Sequence, residues 1–349
     1  MFRGDPSRSA AQPDPGPVDR PDQRWQAPVG EDVSSSPAVA DGGVYLGSGD
    51  GRLYAVDATS GEPLWRVETG GPVFSSPAIA GATVYVGSGD GTFYAVDAAS
   101  GDTRWTVETD GPIVSSPAVA NGLVVFAGWD GNLYAVDTGS GDIRWDYPAG
   151  AELFSSPAVA GRTAYVGGVD GSLHAVDIAT GEPRWRVALG GSIYSSPAVS
   201  GGTVYVGSDD GGVYAVDAAS GDVRWRFETG ARVSSSPALA GGGVYISGED
   251  GNVYAIDATT GDERWRFAIG TVLFSSPLLA GEILYVGALD GAVHALDAAT
   301  GAELWRVDLG SPLYASPSVV EATVYVATLD GRLVALAAPQ ETGGVIEGM

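Results

Sequence analysis

Residues 35–74 read SSPAVADGGVYLGSGDGRLYAVDATSGEPLWRVETGGPVF, and variants of this stretch of 40 residues fill the chain. Its tryptophan, its Ser-Ser-Pro step (Ala-Ser-Pro in the last copy) and its Asp-Gly step all recur every 40 residues, without an insertion. The repeat tryptophans are Trp25, Trp65, Trp105, Trp145, Trp185, Trp225, Trp265 and Trp305. A fixed period near 40, built from short apolar runs and turns, is typical of propellers and solenoids.

Each repeat predicts four strands and leaves no room for a helix. An extended run ending in SSPAVA comes first, GVYLGS and RLYAVD follow, and LWRVETG completes the unit. The Asp-Gly step between the second and third strands supplies the positive φ of a tight turn. Because proline cannot donate to a β ladder, Pro37 puts its strand at one edge of the sheet, and the tryptophan strand forms the other edge. We expect the serine hydroxyls to satisfy local backbone groups.

The two ends of the chain decide between a ring and a rod. The chain begins with a fourth strand, RWQAPVG at 24–30, and ends with a third strand, GRLVALA at 331–337. Together they make one complete unit, whereas an open solenoid would need distinct capping repeats. The sequence therefore predicts an all-β fold: an eight-bladed propeller over residues 23–338, closed by the N-terminal strand. Residues 1–22, rich in proline and aspartate, are predicted to be a disordered tail, and residues 339–349 a flexible one.

Charge and composition limit the partners. The chain carries 43 acidic residues against 18 basic ones, a net charge of −25, and all the basic residues are arginine. Such a charge repels nucleic acid and anionic membranes. Together with the lack of lysine it favours a salt-adapted organism; a GC-rich genome with an acidic surface kept for solubility is the alternative. No apolar run is long enough for membrane insertion, and no secretory leader is visible. The location expected from the sequence as written is the cytoplasm, with the cell envelope or the extracellular space as alternatives. The chain has no cysteine, so disulfides and thiolate chemistry are excluded.

The segment AVDATSGEPLW at 55–65 resembles the tryptophan-docking motif of the pyrroloquinoline-quinone-type (PQQ-like) propellers, and six further copies precede later tryptophans. The resemblance covers residues 24–337. It implies that each repeat tryptophan packs between adjacent blades, and that the proline strands line a central channel. The family includes quinone-dependent dehydrogenases and also cofactor-free eight-bladed scaffolds, such as the outer-membrane protein assembly lipoprotein. This chain is closest in type to the cofactor-free members.

Enzymatic chemistry finds little support in the sequence. A dehydrogenase of this family holds a quinone and a calcium ion, and many members add a cysteine pair; this chain has no cysteine and no long inserted loop. The pair Asp209-Asp210 fits a solvated turn better than a calcium ligand. His174 and His294 take the slot that holds Tyr54 in the first repeat, and no unique serine stands beside either. We therefore predict no catalytic residue, no metal and no cofactor, with PQQ and calcium as the alternative.

Function is expected where the repeats differ. The residue before the Asp-Gly step, the residue before the serine pair and the residue two places before that one all vary from copy to copy. In a propeller these three columns should rim one face. The candidate binding residues in them are Trp129, Phe74, Phe154, Tyr194, Phe274, Tyr314, Glu152, Arg232, Asp209 and Glu249. Exposed aromatics with a few charges are typical of a binding patch.

The sequence thus predicts a monomeric, non-enzymatic scaffold that binds a protein, a small molecule or a glycan on this face. A quinone-dependent dehydrogenase and a carbohydrate- or cell-surface-binding module are the alternatives. A third possibility is that the aromatic residues only plug the mouth of the channel and pack between the blades.

Overall fold

The computed structural model describes residues 5–12 and 15–339, and within them the chain forms 33 strands and no helix. Eight four-stranded antiparallel blades confirm the predicted propeller; seven have their strands in chain order, the eighth includes a strand from the N-terminus, and a short strand at the start of the chain adds in parallel to one of the sheets. Among these residues there is no helix of the length and hydrophobicity that a membrane span requires. Residues 340–349, most of the predicted C-terminal tail, lie outside the described part of the chain.

The strand bounds repeat from blade to blade. A short strand, β1 (Ala11–Gln12), precedes the ring. Blade 1 is β3 (Ala38–Ala40), β4 (Gly43–Ser48), β5 (Arg52–Asp57) and β6 (Pro63–Glu68); blade 2 is β7 (Ala78–Ala80), β8 (Thr83–Gly87), β9 (Thr92–Asp97) and β10 (Thr103–Glu108); blade 3 is β11 (Ala118–Ala120), β12 (Leu123–Ala127), β13 (Asn132–Asp137) and β14 (Ile143–Pro148); blade 4 is β15 (Ala158–Ala160), β16 (Thr163–Gly167), β17 (Ser172–Asp177) and β18 (Pro183–Ala188).

The second half of the ring follows the same plan. Blade 5 is β19 (Ala198–Ser200), β20 (Thr203–Gly207), β21 (Gly212–Asp217) and β22 (Val223–Glu228); blade 6 is β23 (Ala238–Ala240), β24 (Gly243–Ser247), β25 (Asn252–Asp257) and β26 (Glu263–Ala268); blade 7 is β27 (Leu278–Ala280), β28 (Ile283–Gly287), β29 (Ala292–Asp297) and β30 (Glu303–Asp308); blade 8 is β31 (Ser318–Val320), β32 (Thr323–Thr328), β33 (Arg332–Ala337) and, from the N-terminus, β2 (Asp22–Pro28).

The ring closes as the sequence predicts. Strand β2 pairs with β33 in the antiparallel sense, and Trp25 lies opposite Ala335. Blade 8 therefore combines three strands from the end of the chain with one from its beginning. This pairing ties the two ends of the propeller into one sheet, so the ring needs no separate cap.

A closed ring of serine side chains holds the inner strands together. The backbone N–H of Ser36 donates to Oγ of Ser76 in the next blade, at 2.9 Å. The same bond recurs around the axis until the N–H of Ser316 donates to Oγ of Ser36, also at 2.9 Å. The eight ring serines are Ser36, Ser76, Ser116, Ser156, Ser196, Ser236, Ser276 and Ser316. All of them are buried.

The serine ring explains two differences from the sequence prediction. The ring serines bond the neighbouring blade rather than a local backbone group. The inner strand of each blade is also shorter than predicted, with only three residues in β3. Since the ring serine directs its N–H toward the next blade, it does not extend the ladder of its own sheet. The first serine of the step does satisfy a local backbone group, as predicted: Oγ of Ser35 accepts from the N–H of Gly47 in its own blade, at 3.0 Å.

The repeat tryptophans join adjacent blades at the outer edge. The indole Nε1 of Trp65 donates to the carbonyl oxygen of Ala98 in blade 2, at 2.9 Å, and the hydroxyl of Tyr45 donates to the same oxygen at 3.2 Å. A side chain at Gly101 would bring its Cβ to 2.9 Å from Cδ2 of Trp65, and Gly101 has a φ of +79°. The docking turn therefore requires glycine, both for its conformation and for the close approach of the indole.

The structure differs from the predicted disorder of residues 1–22. The docking motif does not recur after β33, where Ala337 stands in the place of Asp57, and Nε1 of Trp305 donates instead to the carbonyl oxygen of Pro17, at 3.0 Å. The hydroxyl of Tyr285 reaches the same oxygen at 3.3 Å. Gly16 fits there because a Cβ would lie 2.1 Å from that hydroxyl. Residues near Pro17 thus stand in for the missing turn.

Residues 5–12 lie inside the channel against the inner strands. The side chain of Arg8 is buried, with 1% of its surface exposed, and Ala10 is fully buried. Specific hydrogen bonds to the inner strands replace the solvent contacts that a disordered tail would make. The rest of the predicted tail falls into two parts. Residues 1–4, 13 and 14 lie outside the described part of the chain, and residues 15–22 connect the channel segment to β2 and include Pro17, the acceptor for Trp305.

Removing one ring serine should destabilise the propeller. In Ser36→Ala the buried N–H of Ser316 loses its acceptor, and we expect the free energy of unfolding to fall by about 1–3 kcal/mol. Ser34→Ala is the matched control, since Ser34 is only half-buried and stands in a variable column; its effect should stay within about 0.5 kcal/mol. Denaturant unfolding measures both. Equal effects of the two substitutions would contradict a stabilising ring.

Candidate binding face

The three variable columns lie on one face of the ring. Backbone hydrogen bonds join the turn between the second and third strands of a blade to the crossover that leads into that blade from the preceding one. The N–H of Trp129 donates to the carbonyl of Pro112 at 2.9 Å, and the N–H of Val169 donates to that of Glu152 at 3.1 Å. Equivalent bonds in blades 5 and 6 link Asp209 to Ser192 and Glu249 to Arg232. We call this side, defined by the three columns, the variable face, and the opposite side the docking face.

Three aromatic rings form a continuous cluster across blades 3 to 5. The ring of Trp129 lies 4.4 Å from that of Phe154, which in turn lies 5.2 Å from that of Tyr194. Trp129 and Phe154 are half-buried, whereas 39% of Tyr194 is exposed. The indole Nε1 of Trp129 is inaccessible to solvent and has no hydrogen-bond partner among the described residues. The cluster is thus partly packed and partly open, with its open end at Tyr194.

A second aromatic pair lies in blades 7 and 8. Phe274 and Tyr314 stack with ring centroids 5.1 Å apart and planes inclined by 8°. Tyr314 is 37% exposed, so this stack also presents one open ring face or edge to solvent. Phe74 is half-buried in the crossover into blade 2 and belongs to neither group. The predicted aromatics therefore form two separate groups rather than one belt.

Charged groups occupy the variable face between the two aromatic groups. Nε of Arg232 lies 4.0 Å from Oδ2 of Asp209, and the hydroxyl of Ser234 donates to Oε1 of Glu249 at 3.0 Å. Burial raises the pKa of Asp209, the charge of Glu249 raises it further, and Arg232 opposes the increase. Arg232 itself is largely exposed, and so is Glu152. The carboxylates of Asp209 and Glu249 can therefore accept a cationic group close to the aromatic cluster.

The pair Asp209-Asp210 does not form a joint ligand site. Asp210 accepts hydrogen bonds from the hydroxyl of Tyr214 and from the N–H of Gly212, as its counterparts do in other Asp-Gly turns. Only Asp209 faces Arg232. The two carboxylates thus have different partners, and Asp210 serves the turn.

The described walls of the channel carry mainly small side chains. The inner strands present the serine ring, prolines and small apolar residues, and residues 5–12 lie among them. A calcium ion requires several convergent oxygen ligands, usually with carboxylates among them. No group of three or more His, Asp or Glu side chains suited to a metal ion occurs within residues 5–12 and 15–339.

The two histidines take different environments in the same strand position. His174 is fully buried, and its Nδ1 lies 3.1 Å from the hydroxyl of Tyr147. Its Nε2 has no partner in the described part of the chain. His294 instead lies between carboxylates, with Nδ1 2.8 Å from Glu303 and Nε2 3.3 Å from Asp290. Both lie in the third strand of their blades.

Sequence reasoning missed Arg8, whose buried side chain bonds the inner edges of blades 3 and 4. The chain did contain a signal for ordered residues near its start. It has eight repeat tryptophans but only seven docking turns, so one tryptophan needed an acceptor from elsewhere. That count indicates an ordered N-terminal segment, although it does not identify Arg8.

Comparisons with known proteins agree with this architecture. The family model described as "Outer membrane protein assembly factor BamB" matches residues 17–154, 150–272 and 249–345. BamB from Moraxella catarrhalis superposes with a TM-score of 0.80 at 22% identity, over 91% of this chain and 99% of that one. The computationally designed protein Ika8 superposes with a TM-score of 0.80 at 20% identity, over 90% and 100% of the two chains.

An enzyme shares the same fold. Quinohemoprotein alcohol dehydrogenase ADHIIG from Pseudomonas putida HK5 superposes with a TM-score of 0.81 at 17% identity, over 95% of this chain and 79% of that one. At identities this low the superpositions show the fold alone. Among proteins of curated function, none matches the sequence significantly.

Acid should destabilise the protein through His174. Burial, followed by the charge of Arg186, lowers the pKa of this imidazole to about 4, from 6.5. The unfolded chain therefore takes up a proton first as the pH falls, and stability that is present above pH 6.5 is lost toward pH 4. The loss amounts to at most about 3 kcal/mol.

The variant His174→Tyr restores the residue found in most blades and should flatten this pH dependence. Tyr254 in blade 6 shows that a tyrosine fits, since it packs beside Phe227 and donates to Asp250. His294→Tyr is the matched control and should keep the acid sensitivity, because it retains His174. The measurement is the melting temperature of each protein between pH 7.5 and pH 4.5. If the melting temperature of His174→Tyr falls with pH as steeply as that of the unsubstituted protein, His174 is not the cause of the acid sensitivity.

Proposed function

The chain belongs to the family described as outer membrane protein assembly factor BamB, and we propose that it is a non-enzymatic, protein-binding scaffold whose binding surface is the variable face. The family description, and the name of the Moraxella catarrhalis protein with the same fold, favour a role in protein assembly. No catalytic step is assigned to any residue. The protein acts by presenting a rigid surface to a partner.

One observation supports this proposal above the others. The side chains that stay constant among the repeats have structural partners: ring serines bond the next blade, and the repeat tryptophans dock on it. The aromatic residues at the variable positions serve no such common purpose, because other blades have Ser34, Val114 or Ser234 at the same place. Aromatic side chains that the fold does not require are the usual anchors of a protein interface.

The charges of the face indicate the chemistry of the partner. Asp209, Glu249 and Glu152 outnumber Arg232 there, and the whole chain carries a net charge of −25. Such a field attracts a basic surface and accelerates its association at low salt. We propose a protein partner with basic and apolar side chains, bound by a monomer.

A quinone-dependent dehydrogenase is the second candidate, because enzymes of that kind share the fold. The composition of the channel walls argues against it. Carbohydrate binding is the third candidate: Tyr194 and Tyr314 are exposed aromatics of the type on which sugar rings stack. A glycan array probed with the purified protein, and with the rim variant described next, separates sugar binding from protein binding.

Truncating the aromatic cluster should abolish partner capture. In Trp129→Ala/Phe154→Ala the anchor rings are lost, and we expect proteins enriched from the native host at native salt to fall about 10-fold or more in yield. The melting temperature should change little compared with this loss, since the rings lie on the rim. Quantitative mass spectrometry of the captured proteins makes the measurement.

The control for that experiment is Ile143→Ala/Leu304→Ala. These side chains are 47% and 43% exposed on the outer strands, away from the variable face. Capture by the control should equal that by the unsubstituted protein. If the rim variant keeps its partners but melts at a much lower temperature, the aromatic cluster is packing and the proposed surface is wrong.

Quinone should not confer activity. Protein incubated with PQQ and Ca²⁺, and then freed of excess by gel filtration, should retain no quinone absorbance and should reduce no artificial electron acceptor with primary alcohols. The physical reason is that the described residues bring no cluster of carboxylates together to bind Ca²⁺. Stoichiometric retention of the quinone together with dye reduction would establish the enzyme instead.

A further inference from the structure

Residues 5–12 contact the channel in the way that a bound peptide contacts its receptor. Four of their carbonyl oxygens accept hydrogen bonds from the inner strands of four consecutive blades. The N–H groups of Val159, Val199, Leu239 and Leu279 donate, in that order, to the carbonyl oxygens of Pro6, Ser7, Ser9 and Ala10, at distances of 2.7–2.9 Å. Backbone contacts of this kind do not depend on side-chain identity, and they give affinity in peptide recognition.

The segment curls to follow the ring. Arg8 and Ala10 both have positive φ, 58° and 54°, which lets successive carbonyls point at successive blades. The carboxylate of Asp5 holds this curl by accepting hydrogen bonds from the hydroxyls of Ser7 and Ser9. The conformation is therefore stabilised within the segment itself and not only by the channel.

One side chain of the segment reaches into the wall. Nε of Arg8 donates to the carbonyl of Pro157, and one of its terminal nitrogens donates to the carbonyl of Ser116, each at 2.6 Å. The two carbonyls belong to the inner edges of blades 4 and 3, so the planar guanidinium bridges adjacent blades beside the serine ring. A buried cation needs such acceptors, and guanidinium can satisfy two at fixed positions whereas a lysine offers a point charge.

The segment is an addition to the ring rather than part of it. Each blade has its four strands without residues 5–12, whose only strand is the two-residue β1 alongside β27. The channel is also wider than its occupant. A cavity of ≈ 140 Å³ remains beside Ala10 and Gln12, along the inner strands of blades 1, 7 and 8.

We infer that the channel is a binding site for short, curled peptides that carry one arginine between small residues, and that residues 5–12 occupy it in cis. The recognised chemistry is a curled backbone with four accepting carbonyls, a guanidinium for Ser116 and Pro157, and neighbours as small as serine and alanine. The acidic chain attracts such a cationic peptide. This site is distinct from the variable face, because Gln12 bonds Gly281 in the turn between β27 and β28, on the docking face.

The test uses the folded, full-length chain with a protease site inserted between Pro13 and Asp14. Cleavage after folding, followed by extensive dialysis, frees the channel without removing the docking residue Pro17 or strand β2. A fluorescent peptide with the sequence of residues 1–13 is then titrated, and its anisotropy is measured. The cleaved protein should bind the peptide about 10-fold or more tightly than the uncut protein, because the cis segment no longer competes.

Peptide variants test the role of arginine. The Arg8→Ala peptide should bind about 10-fold or more weakly to cleaved protein, and Arg8→Lys should be intermediate, since the ammonium cannot bridge two carbonyls in the same geometry. A scrambled peptide of the same composition controls for charge. The uncut Arg8→Ala protein should take up the unsubstituted peptide better than the uncut unsubstituted protein does, which checks the result without a cut.

Two results would overturn the inference. One is that cleaved protein binds no peptide at millimolar concentration while its melting temperature shows an intact ring. The other is that the Arg8→Ala or the scrambled peptide binds as well as the unsubstituted one. Cleaved Trp129→Ala/Phe154→Ala protein should bind the peptide normally, so failure of the channel site and failure of the variable face as an interface are distinguishable.

Discussion

The hydrogen bond from each ring serine N–H to the next serine Oγ is the constraint on which this propeller depends. Eight such bonds close on themselves at Ser316 and Ser36. Because donor and acceptor belong to successive repeats, every repeat must place its serine at the same depth along the axis. An insertion in one repeat that shifted this step would leave two buried polar groups unpaired. The ring thus gives a physical reason for a period of 40 residues without insertions.

Sequence reasoning recovers the parts of the fold that a single repeat determines. The runs GVYLGS and RLYAVD coincide with β4 and β5, and the two chain ends pair as expected in blade 8. The bonding of the ring serines was not predictable from one repeat, since the partner of each lies in the next one. The N-terminal segment was misjudged because composition describes an average, whereas Asp5 and Arg8 act through individual contacts.

The candidate face was predictable to a similar extent. Columns that vary among repeats must lie together if the turn and the crossover share a face, and the hydrogen bond from Trp129 to Pro112 shows that they do. The grouping within the face was not predictable. Trp129 contacts Phe154 across a blade boundary, with ring centroids 4.4 Å apart, and Phe274 stacks on Tyr314 at 5.1 Å. Those distances depend on side-chain rotamers, and aligning the repeats gives the position of each residue but not its rotamer.

The two proposed sites differ in what a ligand must displace. A partner on the variable face displaces water and meets side chains that already hold their positions. A peptide in the channel must first displace residues 5–12, so its apparent affinity is reduced by the small fraction of molecules in which that segment is out. Pro17 stays docked on Trp305 and β2 stays paired with β33 during such an exchange, because neither contact involves residues 5–12. The ring therefore stays closed while the channel opens, so the exchange involves the contacts of residues 5–12 and leaves the blades in place.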